Sequence, residues 1–254
     1  MKKVILLMYL VTFGSVFSKT IWEPQITKAW KETWKVMPDK TFGIKENLSI
    51  ENENGELFFR VKYPKGSVSS NYSKKFEKPL GGAQFYTNMG IEGKDKLELT
   101  YDIRFSDNFD FVKGGKLPGL YGGDRNASGK RIPTEDSGFS TRYMWRREGK
   151  GVIYAYLPTS EMHGTDLGNW KFEKGKWHKL TQIIKLNTPD KNDGIIEVFL
   201  DKRKVATIEN LSFRVSEKLK IEGLFFSTFF GGSDETWAST DDVFVDFKNF
   251  IVSE

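Results

Sequence analysis

Between Phe111 and Pro158 the chain collects the side chains best able to hold an anion and move a proton. The segment FVKGGKLPGLYGG carries Lys113 and Lys116 in a glycine-dense stretch that reads as a turn. SGFSTRYMWRREGKGVIYAYLP then reads as two strands joined by a turn. Side chains alternate along a strand, so Ser140, Arg142, Met144 and Arg146 share one face of the first, and Tyr154 and Tyr156 share one face of the second. Lysine, arginine, serine and paired tyrosines make a poor dry core. They suit gripping an acidic sugar and transferring a proton on it.

Elements able to position these groups are visible on either side. KLELTYDIRF alternates Leu97, Leu99, Tyr101, Ile103 and Phe105 against Glu98, Thr100, Asp102 and Arg104, the pattern of a half-buried strand. GELFFRVKYP alternates Leu57, Phe59, Val61 and Tyr63 against Glu56, Phe58, Arg60 and Lys62. HKLTQIIKL, GIIEVFLD, KVATIENLSF, KIEGLFFSTFF and DVFVDFKNFIV extend the series, with Asn192, Asp193 and Gly194 marking a turn. Only residues 21–40 have helical character, and it is weak. The chain holds 21 phenylalanines and is 15% aromatic, a composition that favours strands over helices. The expectation is an all-β fold, an antiparallel β-sandwich of jelly-roll type with a concave sheet along which a polymer binds.

The N-terminus, MKKVILLMYLVTFGSVFSKT, reads as a secretory signal: Lys2 and Lys3, an apolar Val4–Phe17 run too short for a comfortable membrane span, and cleavage after Ser18. A single domain over 19–254 is expected to remain, extracellular and free of the membrane. A buried strand or helix, or an uncleaved anchor, is the competing reading. The absence of cysteine excludes disulfides, thiolate metal sites and a cysteine nucleophile. Sequons stand at Asn47, Asn71, Asn126 and Asn210. Formal charge is +5, of which Lys2 and Lys3 supply two; the excess is modest, and no nucleic-acid-binding signature accompanies it. A monomer is expected.

KGGKLPGLYGG, FSTRYMWRR and VIYAYLP, in that order, resemble polysaccharide lyase family 14, which includes alginate lyases and lyases of glucuronan. The resemblance continues through KWHKLTQIIKLNTP, the strand after Asn192-Asp193-Gly194 and FFSTFFGGSDETWAST, over roughly residues 50–252. It implies a jelly roll and a β-eliminative cut of a uronic-acid polymer, with no metal or other cofactor. The motif lysine falls on Lys116, the serine and arginine of the SxR strand on Ser140 and Arg142, and the tyrosines on Tyr154 and Tyr156.

Elimination at a 4-linked uronate needs the C6 carboxylate neutralised, a base for the C5 proton and an acid for the departing O4. Arg142 suits the carboxylate, with Ser140 beside it. Tyr154 and Tyr156 are candidates for base and acid if nearby cations favour the phenolate, which implies activity rising toward alkaline pH. A deprotonated Lys116 is the competing base. Lys113, Arg146 and His163, the last in the EMHGTDLG loop, are candidate substrate contacts, and Trp145, Trp170 and Trp237 candidate stacking platforms, although Trp145 faces away from Arg142. His178 reads as structural. Each group also has a plainer reading: Lys116 as a solvated turn residue, the tyrosines as half-buried strand residues, Arg142 as the partner of Asp136 or Glu148. Two other functional classes remain open, a non-catalytic binder of acidic glycans and a sandwich glycoside hydrolase. The hydrolase needs a carboxylate pair that no strand supplies.

Overall fold

The computed structural model describes residues 18–160 and 163–254, so the expected signal segment, 1–18, lies outside the described residues but for Ser18. In chain order the elements are β1 (Thr20–Trp22), α1 (Trp30–Thr33), β2 (Leu48–Glu53), β3 (Glu56–Tyr63), α2 (Ser70–Lys75), β4 (Ala83–Thr87), β5 (Lys96–Phe105), β6 (Gly114–Gly123) and β7 (Gly138–Arg146). They continue with β8 (Lys150–Tyr156), β9 (Thr165–Lys171), β10 (His178–Lys185), β11 (Gly194–Leu200), β12 (Arg203–Leu211), β13 (Gly223–Phe230) and β14 (Val243–Ser253). One sheet runs β12-β11-β10-β5-β14-β3-β2, with β1 added on β14; the other runs β4-β13-β6-β7-β8-β9. Every strand pairing is antiparallel. This is the sandwich that the alternating strands implied.

The core between the sheets is aromatic. All five apolar residues of β5, Leu97, Leu99, Tyr101, Ile103 and Phe105, are buried in it, as period two requires. The weakly helical 21–40 segment keeps one turn, α1, and delivers Trp22, Trp30 and Trp34 to the core. Trp34 packs edge-on against Phe59 and Phe250, each 5.0 Å away.

In β3 the pattern inverts at one end. Leu57 is 41% exposed, whereas Phe58, on the solvent face, is only 3% exposed. Trp177 stands 5.8 Å from Phe58, and the guanidinium groups of Arg60 and Arg104 lie 5.6 and 5.5 Å from its ring. Those guanidinium groups grip the fully buried Asp246 from both sides. A cation–aromatic layer thus covers Phe58 where a second sheet does not.

Among the sequons, Asn47 is buried and its amide donates to the carbonyls of Leu80 and Gly82, at 3.0 and 2.9 Å. Asn71 and Asn210 are exposed. No helix among the described residues is long and apolar enough to cross a membrane.

Candidate active site

The candidate residues meet on the face of the six-stranded sheet that points away from the core. In the β7–β8 hairpin Ser140 stands opposite Tyr156, Arg142 opposite Tyr154 and Met144 opposite Val152, so the expected faces are one face. The glycine-dense segment is no turn: it is β6, a central strand between β13 and β7. Its glycines make room for neighbours. A Cβ on Gly119 would lie 2.5 Å from Arg142 Cα, and one on Gly115 would lie 2.1 Å from the Trp145 ring. The Trp145 ring therefore lies directly over bare backbone at Gly115, and the two strands approach closely at Gly119.

A bulge in β6 then re-aims Lys116. Gly119 and Tyr121 pair with Arg142 and Ser140 on the site face, and Lys116 pairs with Met144 on the same face, with the register shifting between Leu117 and Gly119. Strict alternation would put Lys116 and Tyr121, five residues apart, on opposite faces; the extra residue, Pro118, removes the conflict. One row across the sheet becomes Tyr86, Phe225, Gly119, Arg142, Tyr154 and Asp166. The next contains Phe229, Lys116, Met144 and Val152.

Lys116 is 8% exposed and Arg142 3%. The Lys116 ammonium group sits 3.1 Å from the centroid of the Tyr154 ring and donates to Met144 Sδ at 2.9 Å. Burial, then the charges of Arg142 and Arg146, hold its pKa well below the usual lysine range, while Asp166 pulls weakly the other way. The Arg142 guanidinium lies over the Phe225 ring at 4.4 Å and donates from Nη1 to Ser227 Oγ at 3.1 Å; that hydroxyl in turn donates to Gln84 Oε1 at 3.0 Å. Arg142 Nε is buried with no hydrogen-bond partner. Among the described residues neither Lys116 nor Arg142 is paired with a carboxylate. Asp136, the expected alternative partner of Arg142, instead accepts from the backbone N–H groups of Val215 and Ser216.

The tyrosines adjoin, with ring centroids 5.5 Å apart. Tyr154 does not match the phenolate expectation: burial, then the neighbouring Tyr156, push its pKa above the ordinary tyrosine value, and the opposing pull of Arg142 and Arg146 is smaller. Tyr156 Oη accepts from the Lys130 backbone N–H at 3.2 Å, so its own proton stays available for donation.

The remaining candidates divide. Ser140 Oγ donates to the Ala127 carbonyl at 2.5 Å and so anchors the 124–137 loop, which also packs Ala127 and Ile132 against the tyrosines. Arg146 is on the site face but is held bidentately by Asp166 at 2.8 and 2.5 Å. Lys113, half-buried, hydrogen-bonds to Thr236 and lies 5.8 Å from the Trp237 ring at the rim. His163 is exposed, next to Gly164, whose backbone abuts the Tyr156 ring.

Trp237 packs on the cluster of Met144, Tyr154 and Tyr156. Trp145 and Trp170 belong to the core, and Trp170 is thereby removed from the stacking candidates. His178 is structural: Nδ1 meets Asp201 at 2.8 Å and Nε2 accepts from the Glu173 N–H at 2.9 Å. Sequence reasoning missed Ser227, Gln84 and Asp166. Alternation in GLFFSTFF would have placed Ser227 on the face of Phe225; nothing local pointed to Gln84 or Asp166.

Comparison with known proteins follows the same lines. A search of curated proteins finds no match. The crystal structure of the marine PL-14 alginate lyase from Aplysia kurodai is similar over 92% of this chain and 99% of its own, with TM-score 0.79 and 31% identity. An alginate lyase from Chlorella virus superimposes over 93% of this chain and all of its own at TM-score 0.75 and 22% identity. An endo-β-1,4-glucuronan lyase from the fungus Trichoderma reesei does so over 93% and 95% at TM-score 0.58 and 12% identity. The last two establish the fold alone. The family model for polysaccharide lyase 14 matches residues 51–250, the stretch that holds most strands of both sheets and the whole Lys116–Arg142–tyrosine face. With that match and the Aplysia likeness, the chain belongs to polysaccharide lyase family 14 and is a polysaccharide lyase.

Proposed function

We propose that the protein cleaves a 4-linked uronate polymer, alginate or glucuronan, by β-elimination, and that it acts outside the cell. The observation that carries the reading is the buried Arg142 guanidinium, without a carboxylate partner among the described residues, on the same face as the buried Lys116 amine. An unpaired buried charge is costly, and an acidic sugar offers the missing anion. In this reading Arg142 neutralises the C6 carboxylate. Neutral Lys116 takes the C5 proton, the C4–O4 bond breaks as the C4–C5 double bond forms, and Tyr156 gives its proton to O4. The lysine ammonium then restores the tyrosine proton. The depressed Lys116 and raised Tyr154 pKa values favour lysine over tyrosinate as base. The similarity to an alginate lyase supports an acidic polysaccharide as substrate.

The test is formation of unsaturated product, followed by ultraviolet absorbance, from polyguluronate, polymannuronate and glucuronan over mildly acid to alkaline pH. Lys116→Ala and Tyr156→Phe are each expected to lower kcat by about 100- to 10,000-fold while thermal unfolding stays near wild type. Absence of unsaturated product from every uronate polymer overturns the reading. Export rests on the basic start and apolar Val4–Phe17 run; protein recovered from the medium beginning at residue 19 is the expected outcome, and retention in cells at full length the contrary one.

A further inference from the structure

Away from the sheet face, α2 presents an aromatic pair, half-buried Tyr72 and exposed Phe76. The Tyr72 and Phe76 rings lie 4.4 Å apart. Phe76 is 46% exposed, one of three large apolar side chains left so among the described residues. The segment is anchored by other groups: Val68 is buried, and buried Ser73 donates to the Pro79 carbonyl at 3.0 Å. The Phe76 ring is therefore free to serve a ligand, with the half-buried Tyr72 ring beside it.

The charges around them are mainly basic. Lys75 Nζ stands 5.0 Å from the Phe76 centroid. Lys74 and Lys75 are exposed and make no ion pair among the described residues, Lys78 is bound to Glu235 at 2.7 Å, and Glu77 is exposed. A cavity of about 200 Å³ opens beside Tyr72, lined by Gly66, Val68, Tyr72, Lys78, Glu235 and Ala238. Glu235 begins the turn that ends at Trp237, and Trp237 packs on the Met144–Tyr154–Tyr156 cluster of the site face. The Glu235–Trp237 turn therefore borders both the cavity beside Tyr72 and the Met144–Tyr154–Tyr156 cluster.

We propose that Tyr72, Phe76, Lys74 and Lys75 form a second, non-catalytic binding site for the acidic polysaccharide, holding a stretch of chain beyond the cleft. Apolar C–H faces of sugar rings stack on aromatic rings, and the lysines meet uronate carboxylates; an exposed patch combining the two fits an acidic glycan better than a neutral one. A second point of attachment raises the local concentration of a long chain at the cleft and does nothing for a chain too short to span both. The inference rests on the acidic-polymer reading above.

The test uses Phe76→Ala and, separately, Lys74→Ala/Lys75→Ala in the full chain. KM for long polyuronate is expected to rise about fivefold, with kcat unchanged and KM for a tetrasaccharide of the same polymer unchanged. Equilibrium binding of long polymer, measured with each change added to Lys116→Ala so that nothing is cut, should weaken to the same extent. Wild-type cutting with unaltered polymer KM and affinity in both variants overturns the platform and leaves the lyase reading standing. A wild type that cuts no uronate polymer yet binds one through Phe76 overturns the elimination reading and upholds the platform. If light scattering shows a dimer that Phe76→Ala dissociates while polymer affinity is unchanged, the patch joins two copies of this chain and the inference fails.

Discussion

Lys116 is a lysine placed where its charge is hard to keep. Burial and the charges of Arg142 and Arg146 depress its pKa, and Asp166 partly offsets them. A base must be neutral to take a proton, so activity is expected to rise with pH as Lys116 loses its own, along a limb lying below the ordinary lysine range. The sign of each neighbour's effect follows. Asp166→Asn removes the charge that favours the ammonium form and should move the acid limb of kcat/KM down by about 0.5–1 in pH. Arg146→Gln removes a repulsion and should move it up. Coincident limbs in wild type and both variants would contradict Lys116 as the base. Tyr154 is disfavoured as a phenolate for a definite reason: with the side chain largely buried, loss of solvation outweighs the two nearby arginines. Burial of that degree is invisible in a strand pattern.

At the scale of the element, β6 decides the geometry. Five glycines in ten residues, from Gly114 to Gly123, are a poor strand by propensity, which is why the segment reads as a turn. In the fold they let the Trp145 ring lie over Gly115 and the β7 backbone at Thr141 and Arg142 approach Gly119 closely. Gly119→Ala drives a methyl into backbone at Thr141 and Arg142, and is expected to cost about 1–3 kcal/mol, seen as a lower urea midpoint. It should also reduce kcat/KM, because the guanidinium is displaced from Phe225 and Ser227. Wild-type stability in that variant would contradict a role for Gly119 in bringing β6 and β7 together. The β7–β8 hairpin behaved oppositely: its alternation was legible, and Ser140, Arg142 and Met144 share a face with Tyr156 and Tyr154.

For the whole molecule, stability rests on an aromatic core without disulfides, closed at one end by the N-terminal segment. Trp34 is fully buried against Phe59, Phe85 and Phe250, far along the chain from most of its partners. Trp34→Ala is expected to cost about 3–5 kcal/mol, measured by denaturant unfolding, with the remaining folded fraction keeping its turnover number. A cost below about 1 kcal/mol would show that the segment is an accessory to the sandwich. The sandwich class itself was readable in the chain, because β5 and the later runs each carry their own inside and outside.

The sequence by itself determined which residues share a face on β5, β7 and β8, since period two belongs to each strand separately. It also placed lysine, arginine and two tyrosines in one block, and so pointed to acidic-sugar chemistry. The tertiary structure alone decided which of those groups are free. Asp166 occupies Arg146, the Ala127 carbonyl occupies Ser140, and Arg142 leans on Ser227 and Phe225 and keeps a buried Nε without a partner. Those contacts join segments from 13 to 85 residues apart, and local alternation carries no information about them. The same holds for Lys116, whose side of the sheet depends on one extra residue at Pro118.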